Sequence, residues 1–146
     1  WGVNMRMQPL QAIVASEGLN NIENVIKKRN INAKIFDSEL SKLKPNIIIP
    51  RRLKKYRETF SLYMILCKKR NNLIKYLDKN SIETKIHYPK PLHMQKASSV
   101  FNYKKGDFPV SESISQRIFS LPMHPYLSDE NISKICDILI SCKELV

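Results

Sequence analysis

Glycine is scarce in this chain. There are three in 146 residues, Gly2, Gly18 and Gly106, and that count alone excludes a P-loop and a GxGxxG dinucleotide fingerprint. Both need clustered glycines so that the backbone can approach phosphate closely. Cysteine is equally sparse: Cys67, Cys136 and Cys142 show no CxxC spacing. An odd, widely spread set fits buried, reduced thiols in a cytoplasmic protein better than a disulfide framework or a zinc site. No HExxH, GxSxG or paired metal-ligand spacing occurs, so no metal is expected. No apolar run approaches the ~20 residues that cross a membrane, and no basic segment followed by an apolar run marks a signal peptide. Acidic residues are few, 13 against 25 Lys and Arg, which leaves a net charge of +12.

What the chain does have is enough apolar material, 42% of residues, to build the core of one domain. The positive charge has three readings: a polyanion such as nucleic acid, a small anion such as a nucleotide diphosphate, or an acidic neighbouring domain. Lys27-Lys28-Arg29, Arg51-Arg52, Lys54-Lys55, Lys68-Lys69-Arg70 and Lys104-Lys105 are short clusters scattered along the chain. None dominates, so each reads as a solvated face and no nucleic-acid partner is expected.

Apolar spacing lays out the elements. Pro9 suits a first helical position, where its missing N–H has no partner to lose, and Leu10, Ile13 and Val14 follow at helical intervals. Ile22, Val25, Ile26, Ala33, Phe36, Leu40 and Leu43 continue in steps that keep one stripe. The spacing predicts a long helix, kinked or broken near residues 18 to 21 and ending before Pro45. Residues 45 to 58 form a basic connector, with a short edge strand at Ile47-Ile48-Ile49. Phe60 to Cys67 reads as a buried strand. Leu73, Ile74 and Leu77 mark a short helix, Glu83 to Ile86 a second strand ended by Pro89 and Pro91, and 87 to 108 a loop with one helical turn near His93 to Ala97. Pro109 opens a helix carrying Ile114 and Ile118. Leu121-Pro122 is extended. Ser128 caps a last helix with Asp129 and Glu130 in its first turn and Ile132, Ile135, Cys136 and Leu139 as its stripe. The sum is an α+β layer, helices on a short sheet. Apolar stripes of this size imply that some face meets another domain.

Two segments concentrate polar chemistry. In "IHYPKPLHMQKA" His87, Tyr88, Lys90 and His93 alternate with two prolines. Prolines stiffen a loop, and His and Tyr can bond a hydroxyl or a phosphate oxygen; the same residues also suit a solvated surface loop. Asn4 and Arg6 precede the helix opened by Pro9. They suit an anion, through an amide, a guanidinium fork and a helix N-terminus, or equally a turn cap and a solvated cation. His124, between Met123 and Pro125, reads as a turn residue at a domain edge.

In their order these segments resemble a known family. "GVNMRMQPLQAIVASEGL" resembles the GxNxRMxxxQAAxG segment of the DegT/StrS-type sugar aminotransferases, which use pyridoxal phosphate (PLP) and have fold type I. "KKRNINAKIFDSEL" is similar to their RRxxxAxxYxxxL helix, "IETKIHYPKPLHMQKA" to their GIxTxxHYPxPLHxQxA loop, and "GDFPVSESISQRIFSLPMHPYLSDENISKI" to their GDFPxAExxSxxxLSLPMHPxLxxxxI ending. The resemblance covers nearly the whole chain. It implies that residues 1–146 are the small C-terminal domain of a longer aminotransferase: a long N-terminal helix and further helices on a short, mainly antiparallel sheet.

It also implies that the domain carrying the Schiff-base lysine lies outside this chain, so that the chain alone is inactive. That fits an opening segment, without an initiator Met, that reads as the approach to a helix. By the same resemblance Asn4 reaches the PLP phosphate of the other subunit of a homodimer. Arg6 lies near the substrate's diphosphate, His87 and Tyr88 approach a nucleotide sugar, and His93 follows them as a further substrate-binding residue. The implied activity is amination of a nucleotide-diphosphate-linked keto sugar, with glutamate as donor, in polysaccharide or amino-sugar biosynthesis. Val3, Met5, Ser81 and "YRETFSLY" depart from the family pattern, which bears on substrate identity. A non-catalytic regulatory domain, or a basic binding domain of the same fold, is the alternative.

Overall fold

The computed structural model describes residues 5 to 142. Two helices open it, α1 (Pro9–Asn20) and α2 (Ile22–Leu40). Pro9 occupies the first turn of α1, and the Gln11 side-chain oxygen accepts the Gln8 N–H at 2.9 Å, satisfying a donor the helix start would leave orphaned. The expected break falls at Asn21. The long stripe is buried only in its C-terminal half: Ala33, Phe36 and Leu40 are fully covered while Ile22 is exposed. The cause is coverage. Helix α5 (Asp129–Ser141) packs on α2, whereas no residue of α1 is buried and Leu10, Ile13, Val14 and Leu19 lie open.

Three strands, β1 (Ile47–Ile48), β2 (Tyr63–Cys67) and β3 (Ile118–Leu121), form one antiparallel sheet with β2 in the middle. The register places Ile65 opposite Phe119 and Ile47 opposite Cys67. Alternation therefore turns one apolar set, Tyr63, Ile65, Cys67 and Phe119, toward the helices, and all four are buried. Phe36 of α2 meets Tyr63 with ring centroids 5.0 Å apart. Leu73 and Leu77 of α3 (Arg70–Lys79) and Ile132 and Leu139 of α5 close the core. Asn32 is the polar exception: fully buried, with both amide atoms unpartnered, a cost of about 1–3 kcal/mol. Ser128 caps α5 as expected, accepting the Asn131 N–H at 3.1 Å.

Four features differ from the expected ones. The strand begins at Tyr63, because Phe60 sits at a φ of 47° in a turn. Helix α4 (Pro109–Arg117) stops before Ile118, which starts β3. There the Arg70 guanidinium donates to the Ser115 carbonyl at 2.5 Å, a C-terminal group that another turn would have used, and to the Ile118 carbonyl of β3 at 3.4 Å. The strand expected at Glu83 to Ile86 is a single bridge, Lys85 to Ser120. The helical turn expected near His93 is a pair of 3-10 turns, Leu92–Met94 and Lys96–Phe101.

Candidate functional site

The Lys85–Ser120 bridge brings the histidine loop onto the sheet. Ser120 pairs with Met64 in the register, so its side chain leaves the face opposite Phe119. Its hydroxyl lies 3.2 Å from His87 Nδ1 and 3.2 Å from the Lys85 carbonyl. His87 is thereby held half-buried on a wall between two clefts, of about 490 and 200 Å³, and lines both. The larger cleft also meets Lys85, His124, Asn131 and Lys134; the smaller meets Tyr88, Lys90 and Ser111. Tyr88 is 74% exposed, its ring edge-on to His87 at 5.8 Å. The two residues the sequence singles out together thus stand together, one anchored and one presented. His124 is exposed and lines the larger cleft at the start of the turn that follows β3, where its carbonyl accepts the Leu127 N–H at 3.3 Å.

His93 is placed differently. Its side chain is only 7% exposed, and its Nε2 meets Glu112 Oε1 of α4 at 3.0 Å. The same oxygen accepts the Gly106 N–H at 2.8 Å, and the His93 ring packs on Phe108 at 4.8 Å. One carboxylate therefore fastens both ends of the 93–106 loop. The Gly106 N–H holds the Glu112 carboxyl below the usual carboxylate range, against the opposing effect of burial, and His93 adds to it. A carboxyl lowered in the fold stabilises it above the ordinary carboxylate range, and that contribution is lost as pH falls through the lowered value. Glu112→Ala is expected to speed amide exchange at Gly106 on the order of tenfold, with the core amides unchanged. Hydrogen exchange read by mass spectrometry checks this; an unchanged Gly106 amide would mean the carboxylate fastens nothing.

Arg6 is exposed, lines neither cleft and makes no hydrogen bond or ion pair among the described residues. Asn4 lies outside the described residues. Sequence reasoning missed a further cluster. Arg52 donates to both oxygens of Asp37 at 3.2 Å and stacks over Phe60 and Tyr63 at 5.0 and 5.3 Å. Tyr63 donates to Asp37 at 2.7 Å. Burial pushes the Tyr63 phenol well above its ordinary value, and Asp37 adds to the effect. The partners lie 15 and 26 residues apart in sequence, so no local motif could announce them.

Among the described residues no group of His, Cys, Asp and Glu is disposed to hold a metal, and no helix is long and apolar enough to cross a membrane. The three thiols are free and buried. The described lysines are exposed, except Lys28, which is half-buried and bonded to Asp129 at 3.0 Å.

Residues 1–140 match the DegT/DnrJ/EryC1/StrS aminotransferase family. Over 88% of its length the chain is 32% identical to the erythromycin biosynthesis sensory transduction protein EryC1 of Saccharopolyspora erythraea, covering 35% of that protein. Over 93% it is 31% identical to a dTDP-3-amino-3,6-dideoxy-alpha-D-galactopyranose transaminase of Aneurinibacillus thermoaerophilus, covering 36%. The crystal structure of DesV from S. venezuelae, in complex with a ketimine intermediate, superposes on 99% of this chain and 39% of its own, with a TM-score of 0.91 at 28% identity. The chain thus spans little more than a third of the length of the relatives it matches. Sequence, fold and the order of the segments around His87 agree: the chain belongs to the DegT/DnrJ/EryC1/StrS aminotransferase family.

Proposed function

We propose that this chain is the C-terminal domain of a PLP-dependent aminotransferase that aminates a keto sugar linked to a nucleotide diphosphate, with glutamate as donor. The observation that carries the reading is the His87–Tyr88 pair between two clefts, inside a family match that runs through residues 1–140. Bound PLP supplies the electron sink through which an amino group passes between carbonyl carbons; its lysine comes from outside the described residues. This chain's part is recognition. His87 is fixed by Ser120 and offers one free ring nitrogen, Tyr88 offers an exposed phenol, and Lys90 and Lys134 set positive charge around the clefts, which suits a dianionic diphosphate. Asn4 and Arg6 serve a PLP phosphate and a substrate diphosphate across a homodimer, and the exposed apolar residues of α1 accord with a neighbour there. Activity of this kind belongs in the cytoplasm, where nucleotide sugars are handled.

The test is transamination by the intact protein. Incubated with PLP, glutamate and a panel of dTDP- and UDP-linked keto sugars, it is expected to yield an amino sugar nucleotide, read by mass spectrometry, and His87→Ala is expected to lower kcat/KM about tenfold or more. Sugar nucleotide binding without amination would favour a regulatory domain of the same fold, a reading that the names of two relatives, a sensory transduction protein and a pleiotropic regulatory protein, keep in view.

A further inference from the structure

We propose that Ser120 is a positioning residue that holds neutral His87 as its Nδ1–H tautomer, so that the imidazole offers Nε2 to the ligand as a hydrogen-bond acceptor. The group recognised there is then a hydroxyl or N–H of the sugar nucleotide, not a phosphate oxygen. The ligand class rests on the aminotransferase reading; the tautomer does not.

The argument is a count of protons. Ser120 is 5% exposed and closed into the bridge: its N–H donates to the Lys85 carbonyl at 2.8 Å and its carbonyl accepts the Lys85 N–H at 3.3 Å. Its hydroxyl then has two contacts, the Lys85 carbonyl and His87 Nδ1, each at 3.2 Å, and one proton. A carbonyl only accepts. If the hydroxyl proton went to His87, two oxygen lone pairs would face each other at 3.2 Å with nothing between them. Given to Lys85, the proton satisfies that contact and leaves the Ser120 oxygen to accept, so Nδ1 carries the ring's proton. A neutral imidazole has only one. Nε2, which has no partner among the described residues, is therefore a lone pair on the wall between the clefts. A fully ionised phosphate oxygen is also acceptor-only and is disfavoured opposite it; a sugar hydroxyl or a base N–H is matched.

The experiment is side-chain 15N NMR of the histidines at about pH 8.5, some two units above the ordinary imidazole value, with His87→Gln to assign the His87 signals. The expected pattern is Nδ1–H for His87. Ser120→Ala is expected to lose that preference and Ser120→Thr, which keeps a hydroxyl on a strand, to restore it. On the intact protein Ser120→Ala is expected to raise KM for the sugar nucleotide about tenfold, more than it lowers kcat. An Nε2–H pattern in the unsubstituted protein overturns the proposal, and so does a tautomer that Ser120→Ala leaves unmoved. Failure of the aminotransferase reading shows itself separately, as absence of amination by the unsubstituted protein.

Discussion

Phe119→Ala is expected to destabilise the fold by about 3–5 kcal/mol, the range for truncating a buried aromatic that the surroundings cannot collapse onto. Phe119 is fully buried on β3, opposite Ile65 of the central strand and inside the cluster closed by α2, α3 and α5. Helices flank it on the face it fills, so a void there persists. For a chain of this size the loss corresponds to a fall in melting temperature of roughly 10 °C or more. Phe119→Leu, which keeps most of the volume, is expected to cost far less. Urea denaturation of both variants is the measurement. A loss under about 1 kcal/mol for the alanine variant would mean that this sheet face is not the core. The effect reaches the site as well, because Phe119 and Ser120 are neighbours on one strand: the first locks β3 to the helices and the second aims at His87.

Alkaline stability is the second large effect. Burial pushes the Cys136 thiol up to about 11, with the nearby Glu39 and Asp137 carboxylates adding to it. In the unfolded chain the same thiol ionises near 8.5. Between those values the unfolded state gives up a proton that the folded state keeps, so stability falls as pH rises from about 9 through about 11 and levels off above that. The shift is worth about 2–3 kcal/mol. Denaturant titrations of the protein and of Cys136→Ala, run from pH 7 to 11, compare the two slopes. The variant starts less stable, having lost a packed side chain, and is expected to fall less steeply. Parallel slopes would mean that the thiol is already ionised in the fold or does not ionise in the unfolded chain. The Tyr63 phenol, also raised, adds a further loss at higher pH, above about 10 where unfolded tyrosine ionises, and this persists in the variant.

The segments whose signals are local were legible from the chain. Pro9 and Ser128 start helices where they were expected, because a helix start is decided within four residues. The stripe of α5 is buried as its spacing implied. The resemblance carried over nearly the full chain because it rests on the order of several motifs rather than on any one of them. What failed had a tertiary cause. Ile118 has the spacing of a helical residue, yet it is a strand residue, because it pairs with Leu66 of β2 while Arg70 takes the Ser115 carbonyl that another turn would have used. The strand expected at Glu83 to Ile86 is one bridge, because a strand is completed by its partner and only Lys85 of that segment meets one, Ser120 of β3.

The candidate site divides in the same way. His87 and Tyr88 could be named from a proline-stiffened loop. Their unlike roles, one anchored and one presented, could not, since Ser120 reaches His87 only through the fold. His93 follows His87 in the same loop as a further candidate in the sequence, and in the structure its side chain turns inward onto Glu112. By itself, then, the sequence determined the helix starts, the apolar faces, the family and which loop bears the polar chemistry, all of which follow from neighbours along the chain. Only the tertiary structure decided which histidine meets the clefts and which holds the loop, because a hydrogen-bond partner 19 or 33 residues away is chosen by packing, not by spacing.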